Sequence, residues 1–357
     1  MQTEDFVDPD IMFSSDYAYF SNFSQTWKQH CENYYESVTN RFNLNSESQF
    51  VEIASNDGCL LNYFHSNGIP STGIEPTAST AAASRMLNHD VVEEFFSTEL
   101  AKIMVKKGKS ADLIAANNVL AHVPNIKDFI GAFAILLKDT GVVTFEFPYL
   151  LNLIKFNQFD TIYHEHFSYL SLTVVKSILN SSGLSIFDVD ELETHGGSLR
   201  VYAQHEATGI QNTTSKVAEL LSLEESAGIA DINFYSGFQK KTNIVKNDFL
   251  EFLIGAYNDN KVVVAYGAAA KGNTLLNYAG IKPDLLKYVV DRNPYKQNKF
   301  MPGSHIPIVN EGHLLENKPD YIVILPWNIR SEIVSQLNYV KNWGCKFVTA
   351  IPKLEIF

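Results

Sequence analysis

The chain has 357 residues, of which 45% are hydrophobic, 12% aromatic and 19% charged. That is a globular composition with room for two to three domains of about 150 residues. Lys and Arg number 28 against 40 Asp and Glu, a formal net charge of −12, which argues against a nucleic-acid or anionic-membrane partner.

The acidic start Met1-Gln2-Thr3-Glu4-Asp5 lacks the layout of a signal peptide, and no apolar run reaches the ~18 residues of a bilayer span. Cysteine occurs at Cys31, Cys59 and Cys345, with no CxxC. A disulfide framework and an all-cysteine zinc site are thereby excluded, and a cytoplasmic location is expected. Residues 1–44 hold an aromatic-rich stretch at 13–21 and a helical pattern from 27 to 42. This piece is too short to bury its own aromatics and should pack on the domain that comes after it.

From residue 49 short apolar runs alternate with helical patterns, at 50–54, 71–74, 91–95, 112–116 and 141–147. Runs of this kind indicate βαβ units and a parallel sheet. A helix near 172–181 precedes strands at 184–189 and 198–204, joined by Glu191-Leu192-Glu193-Thr194-His195-Gly196-Gly197. Five parallel strands and an antiparallel pair predict a seven-stranded doubly wound domain over 45–210. Residues 211–258 read as a helical linker in which Val217, Leu220, Leu221 and Leu223 form one apolar face. Strands at 261–266, 286–290, 320–325 and 345–350, with helices near 273–279 and 330–343, predict a second, smaller α/β domain over 259–357.

In the first domain, Val51-Glu52-Ile53-Ala54-Ser55-Asn56-Asp57-Gly58 reads as a strand and a tight polar turn, and Glu75 ends the next strand. A carboxylate at that place can accept from a ribose diol. The turn is not GxGxxG and holds no basic residue for a pyrophosphate, so S-adenosylmethionine suits it better than a dinucleotide. A bland alternative, an edge loop with an exposed Glu, weighs about the same on this motif alone. The fourth strand ends in Asn117, Asn118 and, shortly after, His122. This is where open α/β sheets bind ligands, although His122 taken alone reads better as a locally satisfied histidine.

The densest chemistry is Asp160-Thr161-Ile162-Tyr163-His164-Glu165-His166-Phe167-Ser168-Tyr169. His164 and His166 could share a metal if extended, but HExxH is absent and a third ligand would have to come from elsewhere, so no metal is expected. The acid–base reading needs none: a histidine beside a carboxylate can be poised near neutral pH, and a tyrosine can donate to an oxyanion. The alternative is a loop that packs its aromatics on the sheet. His195 and Arg200, around Gly196-Gly197, offer an anion or sugar contact, or a plain hairpin connection. In the second domain, Tyr266-Gly267-Ala268-Ala269-Ala270-Lys271-Gly272-Asn273 runs from a strand into a helix, a place suited to a diphosphate. Lys296 and His305 come after the next strand.

Together, VEIASNDGCLL, GIEP, NNVLAHVPN, YHEHFSYLSL, HGGSLR, YGAAAKGNTLLNY, VVDRNPYKQNKFMPGSHIPI and ILPWN resemble the sugar C-methyltransferases, from about Phe6 to the C-terminus. The resemblance implies a class I methyltransferase domain with a seven-stranded Rossmann-like sheet, and after it a smaller Rossmann-like α/β domain. Family members usually begin with a small zinc-binding domain. This chain starts at its end, so the zinc is not carried over. Ala54 stands where methyltransferases often have the first glycine of the cofactor turn.

The resemblance implies carbon methylation at C3 of a nucleotide-diphospho-4-keto-6-deoxysugar through an enolate, with S-adenosylmethionine as methyl donor. His166 is implied as the base and Glu165 as its orienting partner. Tyr163, His122 and Tyr17 are the candidates to donate to the C4 oxygen or position the ring, while His164 is expected to pack or to act through a neighbouring residue. Glu75 is expected on the cofactor's ribose, with Glu52, Asn56, Gly58 and Asn117 around its amino acid. The nucleotide sugar is expected at His195, Arg200, Tyr266, Lys271, Asn273, Lys296 and His305, reaching across to His166 and His122. A monomer is expected. A sugar O-methyltransferase and an inactive nucleotide-sugar-binding protein are the competing readings.

Overall fold

The computed structural model describes residues 1–4, 7, 9–13 and 20–357, the side chains of 9, 10 and 23 excepted. The chain divides into two units, Met1–Leu150 with His164–Ile229, and Leu151–Tyr163 with Ala230–Phe357. The helical stretch after residue 211 is shared between them: Ser215–Ala227 goes with the first unit and Phe238–Asn258 with the second.

In the first unit the strands are β1 (Phe50–Ile53), β2 (Ser71–Ile74), β3 (Asp90–Val92), β4 (Ala111–Asn117), β5 (Leu137–Pro148), β6 (Leu184–Leu192) and β7 (Ser198–His205). They form one sheet in the order 3-2-1-4-5-7-6. The first five run parallel, and β7 is antiparallel to both β5 and β6. This is the expected seven-stranded sheet, with its last strand inserted between β5 and β6. Burial explains the insertion: β7 is buried from Ser198 through Gln204, whereas the end of β6 meets solvent on the open edge. The third strand is shorter than its apolar run. Its pairing stops at Val92, and Phe95 beyond it is 42% exposed.

The helix Gln25–Phe42 begins where Ser24 accepts from the Trp27 N–H at 3.2 Å, a cap worth about 1 kcal/mol, and ends at Asn43 in the left-handed conformation. Its buried face, Cys31, Tyr34 and Val38, packs with Phe50, Phe64 and Tyr202. Phe50 and Phe64 stack at 3.6 Å. The helical part of the N-terminal segment therefore does bury itself on the first sheet.

The second unit holds β8 (Val263–Tyr266), β9 (Val289–Val290), β10 (Ile308–Val309), β11 (Tyr321–Ile324), β12 (Lys346–Thr349) and β13 (Glu355–Ile356). Their order is 10-9-8-11-12-13, parallel except for β13. The two-residue strands β10 and β13 carry too short an apolar run to be read in the sequence. The order reverses between β8 and β11, so the crevice of this sheet lies beyond Tyr266 and Ile324.

Candidate active site

In the first unit the order reverses between β1 and β4. After β1, Ala54, Asn56 and Gly58 take φ of +57, +50 and +79°. Left-handed backbone costs an ordinary residue ~1–2 kcal/mol, a physical reason why glycine suits the Ala54 position. Hydrogen bonds hold the turn: Gly58 N–H donates to Ser55 O at 3.0 Å, and Asn56 N–H donates to Glu75 Oε2 at 2.8 Å. Glu75 is 4% exposed, and its Oε1 accepts from Thr77 N–H at 2.9 Å. A carboxylate offers about four acceptor positions, so two N–H donors leave room for a diol.

The sequence reading missed Asp57, whose signal was its place just before Gly58. Its carboxylate accepts from Ser21 Oγ and, at 3.1 Å, from Asn22 N–H. Asn56 Oδ1 accepts from Ser21 N–H at 3.1 Å. The short turn Ser21–Phe23 thus ties down the loop after β1. Glu52 is buried inside the sheet near Cys31 and Cys59. Burial pushes its carboxyl well above the usual range against a backbone hydrogen bond at Leu61, and Oε2 has no partner.

At the end of β4, Asn117 Oδ1 and Asn118 Oδ1 are buried without a partner, as is Ser55 Oγ beside β1. Each such orphan costs roughly 1–3 kcal/mol unless something donates to it. Acceptors grouped around a left-handed turn fit S-adenosylmethionine, which carries an ammonium, an adenine amine and ribose hydroxyls as donors.

The turn Leu120–His122 comes next. Phe167 N–H and Ser168 N–H donate to Ala121 O at 2.8 and 3.1 Å, which docks the end of YHEH on it. Thr3 N–H donates to Phe167 O at 2.8 Å and braces the same stretch. The rings of His122 and His166 lie 4.7 Å apart at 69°. Burial drives the His122 pKa down to about 4, against a backbone hydrogen bond at Glu165, and Nδ1 has no partner. At neutral pH this imidazole is uncharged. His166 is 8% exposed, whereas His164, expected to pack, is exposed. Tyr163 goes with the second unit and the rest of YHEH with the first. Tyr17 lies outside the described residues.

Arg200 is not presented to a ligand, contrary to expectation. It pairs with Glu146 at 2.5 Å and lies over the Tyr34 ring at 4.7 Å, while Glu146 also holds His30 at 2.7 Å. Burial opposes charge on Glu146, but Arg200 and His30 bring its pKa below the usual value. The hairpin position after Gly197 places Arg200 opposite Glu146 in the β5–β7 register, which the HGGSLR pattern does not reveal. His195, at φ +56°, faces Trp27 at 6.2 Å.

In the second unit the loop after β8 turns at Gly267, φ +93°, where a Cβ would sit 2.5 Å from Pro326. Ala268 N–H donates to Asp291 Oδ2 at 2.7 Å, and Lys296 Nζ donates to Ala268 O at 3.0 Å. Lys296 thus reaches the loop. Lys271, on the first turn of Ala270–Ala279, donates to Asn328 Oδ1 at 3.0 Å, and Asn273 Oδ1 has no partner. Tyr266 and His305 are not brought to this place. Tyr266 is buried, with its hydroxyl accepting from Gln336. The turn of His305 is tied to Asn277, whose Nδ2 donates to Pro302 O at 3.0 Å. Asn277 lies six residues, about 9 Å, along the helix from Lys271.

Residues 27–189 match the methyltransferase domain family, and residues 193–352 match the C-methyltransferase C-terminal domain family. The chain is 32% identical over 351 residues to the C-methyltransferase NovU of Streptomyces niveus, covering 98% of this chain and 83% of that protein. Among solved structures it is similar to magnesium protoporphyrin IX methyltransferase (ChlM) from Synechocystis PCC 6803 with bound SAM, at 14% identity. That match covers 49% of this chain and 78% of that chain with a TM-score of 0.38. It is also similar to the PH0226 protein from Pyrococcus horikoshii OT3, at 10% identity over 53% of this chain and 95% of that chain, TM-score 0.42.

Proposed function

The chain belongs to the C-methyltransferase family, and we propose that it uses S-adenosylmethionine to methylate C3 of a nucleotide-diphospho-4-keto-6-deoxysugar. The observation that carries this reading is the buried His122–His166 pair, 4.7 Å between rings, with His122 on the turn after β4 and His166 in the segment docked on it. The two histidines suit two different tasks.

His166 takes the proton from C3, which the C4 ketone acidifies, and the electron pair left behind forms the enolate. His122, neutral because burial has lowered its pKa to about 4, gives its single N–H to the Glu165 backbone and leaves Nδ1 as an acceptor that positions the sugar ring. Glu165 orients His166, and Tyr163 and Tyr17 donate to the C4 oxygen. Bound S-adenosylmethionine supplies the electrophilic methyl and leaves as a neutral thioether. Glu75 receives its ribose hydroxyls, and Glu52, Asn56, Gly58 and Asn117 surround its amino acid. Within the second unit, Lys271, Asn273 and Lys296 are the donors suited to a diphosphate, since a chain of net charge −12 needs specific donors to hold an anion.

The test is to incubate the protein with S-adenosylmethionine and a thymidine-diphospho-4-keto-6-deoxyglucose derivative deuterated at C3. Carbon methylation adds one methyl and removes the deuterium. A product that gains the methyl and keeps the deuterium was not methylated at C3: it is an ether or is methylated at C5, the other carbon beside the ketone, and either refutes the proposed position. No gain in mass, with binding intact, identifies a binding protein.

A further inference from the structure

The chain leaves the first unit after Leu150 and re-enters it at His164, inside YHEH; the intervening Leu151–Tyr163 belongs to the second unit. Three side chains fasten this excursion. Asn157 Oδ1 accepts from Thr242 Oγ1 at 3.1 Å. Phe159 enters the core with Leu275 and Leu276, its ring 5.2 Å from Tyr278. Asp160, 1% exposed, accepts from the Trp327 indole N–H at 2.7 Å through Oδ2, and its Oδ1 has no partner.

Trp327 comes after β11, and Lys271, which comes after β8, sets its ammonium 5.0 Å over the Trp327 ring. The fastening therefore sits at the point where the strand order of the second sheet reverses. Burial raises the Asp160 pKa to about 6, against Lys271 and Trp327, and lowers that of Lys271 to about 8, against Asp160. A buried carboxylate with the Trp327 indole on one oxygen, no hydrogen-bond partner on the other and the buried Lys271 ammonium nearby is an expensive way to attach a loop that Phe159 already anchors. Such groups concentrate where geometry matters to chemistry.

We infer that Asp160 is a positioning residue for methyl transfer: its bond to Trp327 fixes the turn Phe159–Thr161, and with it the course of the chain into Tyr163 and YHEH. The inference rests on YHEH as the catalytic motif. Asp160 touches no reacting atom; it acts by keeping the entry to the motif from sampling other conformations, and misplacements of about 1 Å can cost about 100-fold in rate.

The experiment uses the full chain with Asp160→Ala, Asp160→Asn and Trp327→Phe. It measures kcat on the keto-sugar, the dissociation constant for S-adenosylmethionine, and hydrogen exchange over residues 157–168. Asp160→Ala and Trp327→Phe are expected to lower kcat about tenfold or more, leave the cofactor constant unchanged and speed exchange. Asp160→Asn keeps an acceptor for the indole and should restore the rate to within a few-fold.

Wild-type kcat in folded Asp160→Ala overturns the proposal, as does an Asp160→Asn protein as slow as Asp160→Ala. Should Asp160→Ala not fold, Trp327→Phe decides, because the indole N–H is all it removes from this contact. Wild-type protein inactive on the keto-sugar would sink the proposed substrate, while the exchange data would still decide whether Asp160 fastens YHEH: unchanged exchange in both variants refutes it.

Discussion

Glu75 offers the sharpest test of the cofactor placement, because its two oxygens already serve the backbone. Oε2 accepts from Asn56 N–H at 2.8 Å and Oε1 from Thr77 N–H at 2.9 Å, at a site 4% exposed. Glu75→Ala removes the acceptor proposed for the ribose diol and the brace of the left-handed turn at once. A hydrogen bond to a buried charged group is worth about 1.5–3 kcal/mol, so losing even one ribose contact should raise the cofactor dissociation constant about tenfold or more. The two stranded N–H groups would each cost about 1–3 kcal/mol of stability, which a fall in Tm reports.

Glu75→Gln separates the two effects. It keeps an oxygen for one N–H but turns an amide toward the other, and it removes the charge. It should hold more of the stability than alanine while still weakening the cofactor. The assay is calorimetric titration with S-adenosylmethionine alongside thermal unfolding. A folded Glu75→Ala protein with wild-type cofactor affinity would show that the ribose lies elsewhere and that Glu75 serves the turn alone.

The same geometry carries three more expectations. His166→Ala and His166→Asn should abolish turnover and leave S-adenosylmethionine binding unchanged by calorimetry; near-normal turnover in either makes another residue the base. Lys271→Ala should weaken nucleotide-sugar binding strongly with cofactor affinity intact, and a variant that loses neither ligand removes Lys271 from the diphosphate. His122 has a folded pKa of about 4 against an ordinary 6.5, so between these values the unfolded chain takes up a proton that the folded one refuses. Its contribution is complete above pH 6.5 and is lost as pH falls toward 4, on the order of a few kcal/mol in total; His122→Asn should flatten that part of the acid unfolding profile.

Both sheets were legible because their central strands are buried on two faces and therefore appear as unbroken apolar runs, as in Phe50–Ile53 and Val263–Tyr266. What the runs could not carry was order. Nothing in 198–204 says that this strand lies inside the sheet and 184–189 at its edge; that choice is made by side chains from other elements. The pairing of Arg200 with Glu146, and of Glu146 with His30 on the helix Gln25–Phe42, is one such choice. It also explains why Arg200 was misread. An arginine beside a Gly-Gly turn looks the same in sequence whether its partner is a ligand or a carboxylate 54 residues away.

The site was legible where chemistry is local and obscure where it is assembled. Glu75, Asn117 and His166 sit at the ends of elements or in a motif that the sequence announces. The sequence reading passes over Asp57 and notes Asp160 only as the start of the YHEH segment; their contacts with Ser21 and Trp327 are ones that no spacing rule could anticipate. The pattern has a physical cause. A residue that meets a ligand has to stand near a strand's carboxyl end, a place that periodicity can find. A residue that holds the loop bearing such a group can come from anywhere the chain passes, and only burial reveals it. Tyr163 and His166 show the distinction within four residues, since the peptide between them joins a segment anchored through Asp160 and Phe159 to one docked on Ala121. The motif YHEH is contiguous in sequence, but the chain on its two sides is held by two separate sets of contacts, and under the proposed mechanism substitutions in either set should reach the chemistry without touching it.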